Sequence, residues 1–485
     1  MKAAIPEMQH DGEIVNVLRR WKIALATTLV FCSPFLAQGQ TQPAPIKAPR
    51  TAVAIAPDRT LIAKVDEYLK ASMKVRRFAG SVLIARNGHV LVSKGYGMAN
   101  LEDGALNIPQ TKFRLGSLTK QFTSMAVMML QERGKLSVGD LVCKYLPDCP
   151  AAWQAITIRH LLTHTSGIPN YTALPDFRNF ARTTMAVPAL VDLFKNKPLD
   201  FAPGEKYSYS NSGYIVLGYV IERASGKSYQ DFLRENIFVP LRMVNSGYDG
   251  NMLLDHRAAG YALDPESNST VNAAYIDMSI PFSAGALYST VEDLLLWDQA
   301  LYTERLVSRK SLDEMFTPFK SNYAYGWSVG KQFDRRSISH GGDIYGFASH
   351  IARYPDDRVT VIVLTNHEGV AAGSIARDLA AIEFGESYKI PVEQKIITVA
   401  QGVLDSYVGR YQLPNVVLEI LNEGGRLMMV QNGASESKRE LLATSPTDFF
   451  LKGTELQITF VKDDKGRVTQ LVLPGAGNMI AQKIK

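Results

Sequence analysis

The chain has 485 residues, of which 46% are hydrophobic and 21% are charged, and its formal net charge is +6. This is the composition of a globular protein long enough for more than one folded domain. Basic and acidic residues are interspersed, without a basic block, which argues against a nucleic-acid partner.

Residues 1–39 have the layout of a secretory signal peptide. Three basic residues near position 20 precede an apolar stretch from Ile23 to Leu36, and small residues follow it. The apolar stretch is short for a bilayer span, so we expect cleavage, no stable membrane span afterwards, and a periplasmic or secreted protein. An uncleaved anchor is the alternative. The proline-rich residues 40–59 are predicted to be a linker.

Cleavage would leave two cysteines, Cys143 and Cys149, on either side of a short segment that contains a proline. In an oxidising compartment they can form a disulfide, which stabilises the fold by about 2 kcal/mol through loop entropy. Two buried free thiols are the alternative.

Residues 60–388 are predicted to form an α+β domain, with strands first, helices in the middle, then strands and a final helix. The Asn87-Gly88 pair between two β-rich runs predicts a hairpin. The predicted helices are 61–73, 117–133, 158–163, 187–195, 214–224, 291–302 and 373–383. The predicted strands are 80–85, 89–96, 323–329, 337–340, 348–354 and 359–364.

Residues 400–485 have a different texture, with short strand-like runs separated by Gly, Asn and Asp turns. This spacing predicts a small all-β barrel or sandwich. The predicted strands are 407–411, 416–421, 426–431, 448–452, 457–461 and 468–472.

Ser117 and Lys120 open the predicted helix 117–133. The backbone N–H of a serine in a first helical turn is available to a developing oxyanion. Lys120 lies three residues further on the same helical face, so its amine can approach the Ser117 hydroxyl. Apolar neighbours can desolvate that amine, which disfavours the ammonium form and lets the lysine act as a base.

Two further elements follow along the chain: Tyr209-Ser210-Asn211 before a predicted helix, and His340-Gly341-Gly342 at the end of a strand-like run. With the Ser-x-x-Lys element, their order and spacing resemble the β-lactamase and penicillin-binding-protein superfamily, in its class C-like branch. The resemblance covers roughly residues 60–385, and phrases such as 158–168 and 284–290 are also typical of that branch. It implies an antiparallel sheet flanked by helices, with a helical subdomain.

The resemblance also implies roles for single residues. Ser117 would be the acylated nucleophile, and Lys120 and Tyr209 would share the general-base work. The substrate-binding residues would be Asn211, which holds the substrate amide or the lysine amine, His340 on the edge strand, Gly342, and Asp343, whose backbone N–H completes an oxyanion hole with that of Ser117. No metal or cofactor is implied.

One departure concerns His340, since class C β-lactamases have a lysine at this position. A lysine is a permanent cation for a substrate carboxylate, whereas a histidine is mostly neutral near pH 7. The resemblance therefore does not carry penicillin turnover over to this chain. Histidine here is more similar to the D-aminopeptidase-like, peptidase-like and esterase-like members, some of which carry a lipocalin-like or barrel appendage.

Two other motifs are interpreted as structural. Residues 326–330 fit the nucleophile pattern Gly-x-Ser-x-Gly, but this motif needs a strand before the serine and a helix after it, and here the serine lies inside a strand-like run. His160 and His164 have zinc-ligand spacing on a predicted helix, but no third ligand is evident, so a packed or turn-satisfied pair is favoured.

The sequence therefore predicts an exported, metal-free serine hydrolase that cleaves amides or esters of a small molecule or peptide. The substrates considered are D-amino-acid peptides, peptidoglycan-related compounds and β-lactams. An esterase with little amide activity and a non-catalytic penicillin-binding or sensor protein are the alternatives. The sequence does not indicate an oligomeric state.

Overall fold

The structure, a computed structural model, describes residues 58–264, 267–413, 416–431, 434–452, 456–474 and 479–484. The predicted signal peptide, and all but the last two residues of the predicted linker, lie outside this part of the chain. Two regions follow one another along it: an α+β region (residues 59–385) and a barrel region (residues 401–484).

The α+β region alternates between short strands and helices. Its strands are β1 (Gly80–Arg86), β2 (His89–Tyr96), β3 (Met98–Asn100), β4 (Ala105–Leu106), β5 (Phe113–Arg114), β6 (Gly247–Tyr248), β7 (Tyr261–Leu263), β8 (Thr270–Asn272), β9 (Leu287–Ser289), β10 (Ser328–Gln332), β11 (Arg335–Ile344), β12 (Phe347–Tyr354) and β13 (Val359–Thr365). Its α-helices are α1 (Arg59–Arg76), α2 (Thr119–Glu132), α3 (Ile158–Leu162), α4 (Phe177–Phe180), α5 (Val187–Asp192), α6 (Asn211–Ser225), α7 (Tyr229–Leu233), α8 (Val239–Leu241), α9 (Phe282–Gly285), α10 (Val291–Ala300), α11 (Arg309–Met315) and α12 (Ala372–Phe384). Short 3₁₀ turns lie at Gly116–Leu118, Val142–Lys144, Ala151–Trp153 and Tyr171–Ala173, and a π turn lies at Arg234–Phe238.

Six of these strands form one antiparallel sheet in the order β10-β11-β12-β13-β1-β2. Because side chains alternate along a strand, each strand supplies two cores. In β1, Val82 and Ile84 pack with α1 and α12 on one face, while Leu83 and Ala85 belong to the larger core that contains α2, α6 and α10. The sheet is therefore covered by helices on both faces.

Local sequence explains how two of these elements begin and turn. The Asp58 carboxylate accepts hydrogen bonds from the backbone N–H groups of Thr60 and Leu61, which caps the start of α1. The predicted hairpin between β1 and β2 is confirmed, and its turn residues Asn87 and Gly88 have φ values of 54° and 75°. Two positive φ values are the signature of the Asn-Gly hairpin turn.

Helix α2 is buried on all sides from Thr119 to Leu130. A helix that is enclosed all round lies in the interior of a domain rather than on its surface. Any ionisable side chain on its first turns is therefore removed from water, and this placement determines the chemistry of Lys120.

The predicted strand 323–329 is wrong in most of its length, because β10 begins only at Ser328. Residues 323–327 form a turn in which the Ala324 N–H donates to the Trp327 carbonyl. Gly326 has a φ of 76°, and an added Cβ there would lie 2.8 Å from the Lys120 carbonyl oxygen. Tyr325 and Trp327 of this segment belong to the core that contains α2, whereas Tyr323 packs against His164 and His340.

The barrel region contains one helix, α13 (Gln401–Tyr407), and a closed barrel. Its strands are β14 (Gly409–Gln412), β15 (Val417–Glu423), β16 (Arg426–Gln431), β17 (Ala434–Ala443), β18 (Asp448–Leu451), β19 (Gln457–Lys462), β20 (Val468–Leu473) and β21 (Met479–Ile484). The first strand pairs with the last, which closes the sheet and removes its edges. Of the two all-β architectures predicted for this region, the structure therefore contains the barrel and not the sandwich.

Apolar side chains fill the inside of this barrel. Tyr407 of α13 stacks on Phe460 with ring centroids 4.0 Å apart, and Phe449 contacts both rings. The interior is thus a packed core, as expected for an eight-stranded barrel filled by its own side chains.

Two further observations concern export. Cys143 and Cys149 form a disulfide, so the pairing is the correct one of the two alternatives. Among the helices of the described residues, none combines the length and the apolar character that crossing a membrane requires.

Candidate active site

Ser117 lies in the 3₁₀ turn Gly116–Leu118, directly before α2. The α-helix was predicted to begin at Ser117 and begins two residues later, at Thr119. The turn is possible because Gly116 adopts a φ of 52°. An added Cβ on Gly116 would lie 2.9 Å from the backbone nitrogen of Asp343, so a larger residue would push the turn away from β11. Ser117 is half-buried, and it is held at the meeting point of the turn and the sheet.

The Lys120 amine lies directly beside this serine. Its Nζ is 2.9 Å from Ser117 Oγ, 2.8 Å from Asn211 Oδ1 and 2.9 Å from the Ala284 carbonyl oxygen. Lys120 is fully buried, and burial holds the pKa of its amine well below the usual value. The proximity that the helical spacing predicted is therefore present.

The partners of this amine settle where its lone pair points. A neutral amine has two N–H groups and one lone pair. The oxygens of Asn211 and Ala284 are carbonyl acceptors, so both N–H groups donate to them. The lone pair is left for the hydrogen of the Ser117 hydroxyl. The arrangement can therefore accept the serine proton without moving a side chain.

Tyr209 approaches the same serine from the segment before α6. Its hydroxyl lies near the Ser117 side chain, and its ring centroid is 4.9 Å from Lys120 Nζ. Burial raises the pKa of this phenol, so it carries its proton at neutral pH. Asn211, two residues later, is fixed at the start of α6 because its N–H donates to Asn170 Oδ1 at 3.1 Å. Of the two contacts considered for Asn211, the structure contains the one with Lys120.

His340 lies in the same cleft, with its ring centroid 6.4 Å from that of Tyr209. Its Nδ1 is 2.6 Å from the Gly341 carbonyl oxygen, which can only accept, so Nδ1 carries the proton. Burial lowers the pKa of His340 to about 3. Nε2 of the neutral ring accepts a hydrogen bond from the Tyr323 hydroxyl, with 2.8 Å between the two atoms. His340 is therefore a neutral hydrogen-bonding residue and not a cation.

β11 is the second strand of the sheet, because β10 lies outside it. However, β10 begins only at Ser328, which pairs with Ser339, so β11 extends beyond β10 from His340 onward. At His340 the strand is therefore an edge, as predicted, and this extension faces the turn of Ser117.

Gly342 and Asp343 bring the backbone of β11 against the turn of Ser117. An added Cβ on Gly342 would lie 2.1 Å from the Leu115 carbonyl oxygen and 2.9 Å from the Ser117 nitrogen. Gly116 makes the corresponding close approach to Asp343. The turn of Ser117 and strand β11 can therefore approach each other only because each has a glycine at the point of contact. The amides of Ser117 and Asp343 thus lie on facing segments, which is the arrangement that an oxyanion hole needs.

His164 is a residue whose place in this site the sequence reasoning missed. Its carbonyl oxygen accepts the Ser208 N–H at 2.9 Å, and its Nδ1 accepts the Ser210 N–H at 3.2 Å. The two donors flank Tyr209, whose ring also packs on the imidazole with centroids 4.2 Å apart. His164 has a φ of 54°, which turns both its carbonyl and its ring toward this segment.

The zinc spacing of His160 and His164 has a structural explanation. His160 caps α3, since its Nδ1 accepts the Thr157 N–H at 3.2 Å while its own N–H donates to Thr157 Oγ1. The two histidines therefore serve different neighbours. The signal that could have identified His164 is the phrase 158–168 itself, which the resemblance includes.

Comparison with known proteins places the two regions in separate families. Residues 65–385 match the family described as Beta-lactamase, and residues 393–484 match a family described as Domain of unknown function (DUF3471). The chain is 33% identical to penicillin-binding protein 4* of Bacillus subtilis strain 168 over 413 residues, which are 79% of this chain and 90% of that protein. The similarity thus extends over most of both chains.

Two further relatives are named for their activity. The chain is 28% identical to the teichoic acid D-alanine hydrolase of Staphylococcus aureus, over 63% of this chain and 74% of that protein. The solved structure of a D-stereospecific amidohydrolase from Streptomyces sp. is similar with a TM-score of 0.58 and 25% identity, covering 67% of this chain and 99% of that one.

Proposed function

Because the chain belongs to the β-lactamase and penicillin-binding-protein family of serine hydrolases, we propose that it hydrolyses D-amino-acyl amides and peptides through an acyl-enzyme on Ser117. The observation that carries this proposal is the fully buried Lys120 amine, whose Nζ lies 2.9 Å from Ser117 Oγ. The other two neighbours of Nζ are carbonyl oxygens, which accept its N–H groups, so the Ser117 hydroxyl is the partner left for the lone pair of the neutral amine.

Acylation begins with proton transfer from Ser117 Oγ to Lys120 Nζ as Oγ bonds to the carbonyl carbon of the substrate. The carbonyl π pair moves to oxygen, and the backbone N–H groups of Ser117 and Asp343 stabilise this oxyanion. Each such donor typically lowers the barrier by about 3 kcal/mol. The negative charge develops at the point where turn and strand backbones meet, so no side chain has to reorganise.

Collapse of the intermediate breaks the bond to the leaving group, which needs a proton. The Tyr209 hydroxyl lies near Ser117 and its ring lies against Lys120, so it is placed to relay the lysine proton to the leaving nitrogen or oxygen. Lys120 is then neutral again. A water molecule repeats the sequence on the acyl-enzyme, and the products are the acid and free Ser117.

The charges of the cleft favour substrates without a free carboxylate beside the scissile bond. His340 is neutral, and the negative charge of Asp343 acts on the neighbouring Tyr209. A penicillin carboxylate would find no cation at His340. D-amino-acyl groups are the substrate class shared by relatives named for their activity, the teichoic acid D-alanine hydrolase and the D-stereospecific amidohydrolase.

The site of action is proposed to be outside the cytoplasm. The signal-like N-terminus and the disulfide between Cys143 and Cys149 support this part of the proposal, because such disulfides persist in oxidising compartments. Penicillin-binding proteins among the relatives support it as well. Fractionation of cells that express the full chain, with N-terminal sequencing of the product, would test cleavage and export.

Two measurements test the reaction. A fluorophosphonate should label the protein on Ser117, the Ser117→Ala variant should not be labelled, and Ser328→Ala should be labelled like the wild type. Values of kcat/KM should be higher for D-alanine p-nitroanilide than for its L isomer and for nitrocefin. Turnover of p-nitrophenyl esters alone would replace the proposal with an esterase, and label on Ser328 would overturn the site.

A further inference from the structure

A cavity of about 250 Å³ lies beside the candidate active site and has no part in the steps above. Two arginines, Arg114 and Arg257, form part of its wall, and Tyr275, Tyr345 and Phe347 form another part. The residues that line it include small ones such as Gly260, which leave the space open. Among the described residues that line this cavity there is no aspartate or glutamate.

The two guanidinium groups share a single carboxylate that lies behind the wall. Arg114 Nε is 2.6 Å from Asp249 Oδ2, and one terminal nitrogen of Arg257 is 2.9 Å from Asp249 Oδ1. Asp249 is only 1% exposed, so it is enclosed by these partners. Within this group of ion pairs, two cations face one anion.

Both arginines keep hydrogen-bond donors for another partner. In the described part of the chain, Arg114 donates only through Nε and Arg257 only through one terminal nitrogen. A guanidinium has five N–H groups in a planar fork that matches a carboxylate. The side chains of Arg114 and Arg257 are 17% and 36% exposed, so their remaining donors are within reach of a ligand.

The cavity is close enough to Ser117 for one substrate to reach both. Arg114 precedes Ser117 by three residues, which span at most about 11 Å of extended chain. On the other side, Asp343 touches Gly116, and Tyr345 follows Asp343 by two residues. The same two backbone segments therefore border the oxyanion region and the cavity.

The direction along β11 indicates which part of a substrate would enter the cavity. His340 lies beside Tyr209, the residue assigned to proton transfer to the leaving group, so the leaving group belongs at that end. Asp343 comes next and Tyr345 lies beyond it. The cavity is therefore on the side of the acyl group.

We propose that this cavity is an anion subsite that binds a carboxylate carried by the acyl part of the substrate. The inference rests on the proposed function for the direction of the substrate. The arginine pair and its single counter-charge are independent of it.

The test uses three D-alanine p-nitroanilides whose N-terminal caps have nearly the same shape: succinyl with a carboxylate, succinamoyl with a neutral amide, and 3-phosphonopropionyl with a phosphonate. For the wild type, kcat/KM should be about tenfold higher with the succinyl cap than with the succinamoyl cap, and this difference should shrink as salt is added, because screening weakens exposed charge pairs. Equal values for the three caps would overturn the subsite. A preference for the phosphonate alone would overturn the carboxylate assignment.

Arg257→Gln is the matching variant, because Arg114 still pairs with Asp249. It should remove the preference for the succinyl cap while kcat/KM for the succinamoyl cap stays within about twofold. Arg309→Gln, which removes an exposed arginine paired with Asp313, is the control and should leave the preference unchanged.

Binding measured without turnover separates this inference from the proposed function. Calorimetry on Ser117→Ala should show tighter binding of N-succinyl-D-alanine than of N-succinamoyl-D-alanine, with the difference lost in the double variant with Arg257→Gln. If labelling of Ser117 and turnover of uncapped D-alanine p-nitroanilide fail, the proposed function fails and this binding experiment still decides the subsite. If those succeed and no cap is distinguished, only the subsite fails.

Discussion

Two regions of the α+β core bury a basic side chain, and they treat it in opposite ways. Around Lys120 the polar neighbours are a hydroxyl, an amide oxygen and a backbone carbonyl, none of which carries a charge. Around Arg353 the buried carboxylate of Asp298 pairs with the guanidinium, and Thr360 donates to the same carboxylate. A guanidinium stays protonated in a protein interior and therefore needs a carboxylate partner there, whereas burial without a carboxylate holds the pKa of the Lys120 amine well below its usual value.

The largest effect is expected where the uncharged amine is removed. Lys120→Met should lower kcat/KM for D-alanine p-nitroanilide by about 10³-fold, because general-base catalysis contributes on that order. Lys120→Arg should be as inactive, since a guanidinium stays protonated in proteins. Steady-state kinetics and a thermal melt of each variant would check this expectation.

The matched control is Lys112, another buried lysine, whose Nζ lies 2.7 Å from Asp255 Oδ1. Lys112→Met should keep kcat/KM within about threefold, because that amine pairs with Asp255 and not with Ser117. If kcat/KM fell to a similar extent in Lys112→Met and Lys120→Met, activity would depend on a buried lysine in general. The absence of a carboxylate beside Lys120 would then not explain its role.

At Arg353 the change should appear in stability instead. Arg353→Met leaves the Asp298 carboxylate buried without its cation, and breaking such a pair costs about 3 kcal/mol or more. Denaturant unfolding would measure this loss, and kcat of the folded fraction should be unchanged. The double variant Arg353→Met with Asp298→Asn should recover part of the lost stability, and no recovery would contradict the assigned charge pairing.

A second basic side chain with a lowered pKa is the partly exposed His350 of β12, which lies opposite Gly341. Burial lowers the pKa of His350 in β12 to about 4, below the usual value of 6.5. The unfolded chain therefore binds a proton at His350 between pH 6.5 and 4 that the folded chain does not bind. Stability is complete above pH 6.5 and falls as the pH decreases through this window, by about 1.4 kcal/mol per pH unit for one histidine.

Unfolding free energies measured at pH 7, 5.5 and 4.5 would test this dependence. In the His350→Gln variant the unfolding free energy should depend less steeply on pH, by the contribution of one histidine. His89 is exposed, so His89→Gln serves as the control and should keep the slope of the wild type. An unchanged slope in His350→Gln would show that the acid sensitivity arises elsewhere.

Much of the fold and half of the site could be predicted from local patterns. The Ser117–Lys120 spacing, the Asn87-Gly88 hairpin and the α+β order depend on residues close in sequence, and the β-lactamase-like fold with a C-terminal barrel is confirmed. The sequence does not predict two barrel strands: Ala434–Ala443 begins with a polar run, and Met479–Ile484 lacks the alternation of apolar and polar residues that indicates a strand. Closure of the barrel supplies the pairing that their sequences do not signal.

The remaining part of the site depends on contacts between distant segments. Tyr209 and His340 entered only through the family resemblance, since nothing local to either residue indicates that they share a cleft. The sequence does not assign His164 to the site, because its zinc-ligand spacing from His160 has no third ligand and the pair is interpreted as packed or turn-satisfied. Its positive φ instead directs it toward Tyr209. A left-handed histidine cannot be recognised from a helical period, because the period assumes that the helix continues.

The smallest effect is expected at His164, which acts on the reaction only through Tyr209. His164→Phe keeps an aromatic ring against Tyr209 but removes the Nδ1 that accepts the Ser210 N–H. We expect kcat to fall about tenfold with little change in KM, because a small misplacement of a catalytic group slows the step without weakening binding. His164→Asn should recover most of kcat, since asparagine tolerates the left-handed backbone and offers an acceptor near the position of Nδ1. If the melting temperature fell equally in both variants and their kcat values were the same, His164 would contribute to stability alone. Its contacts with the segment around Tyr209 would then have no effect on catalysis.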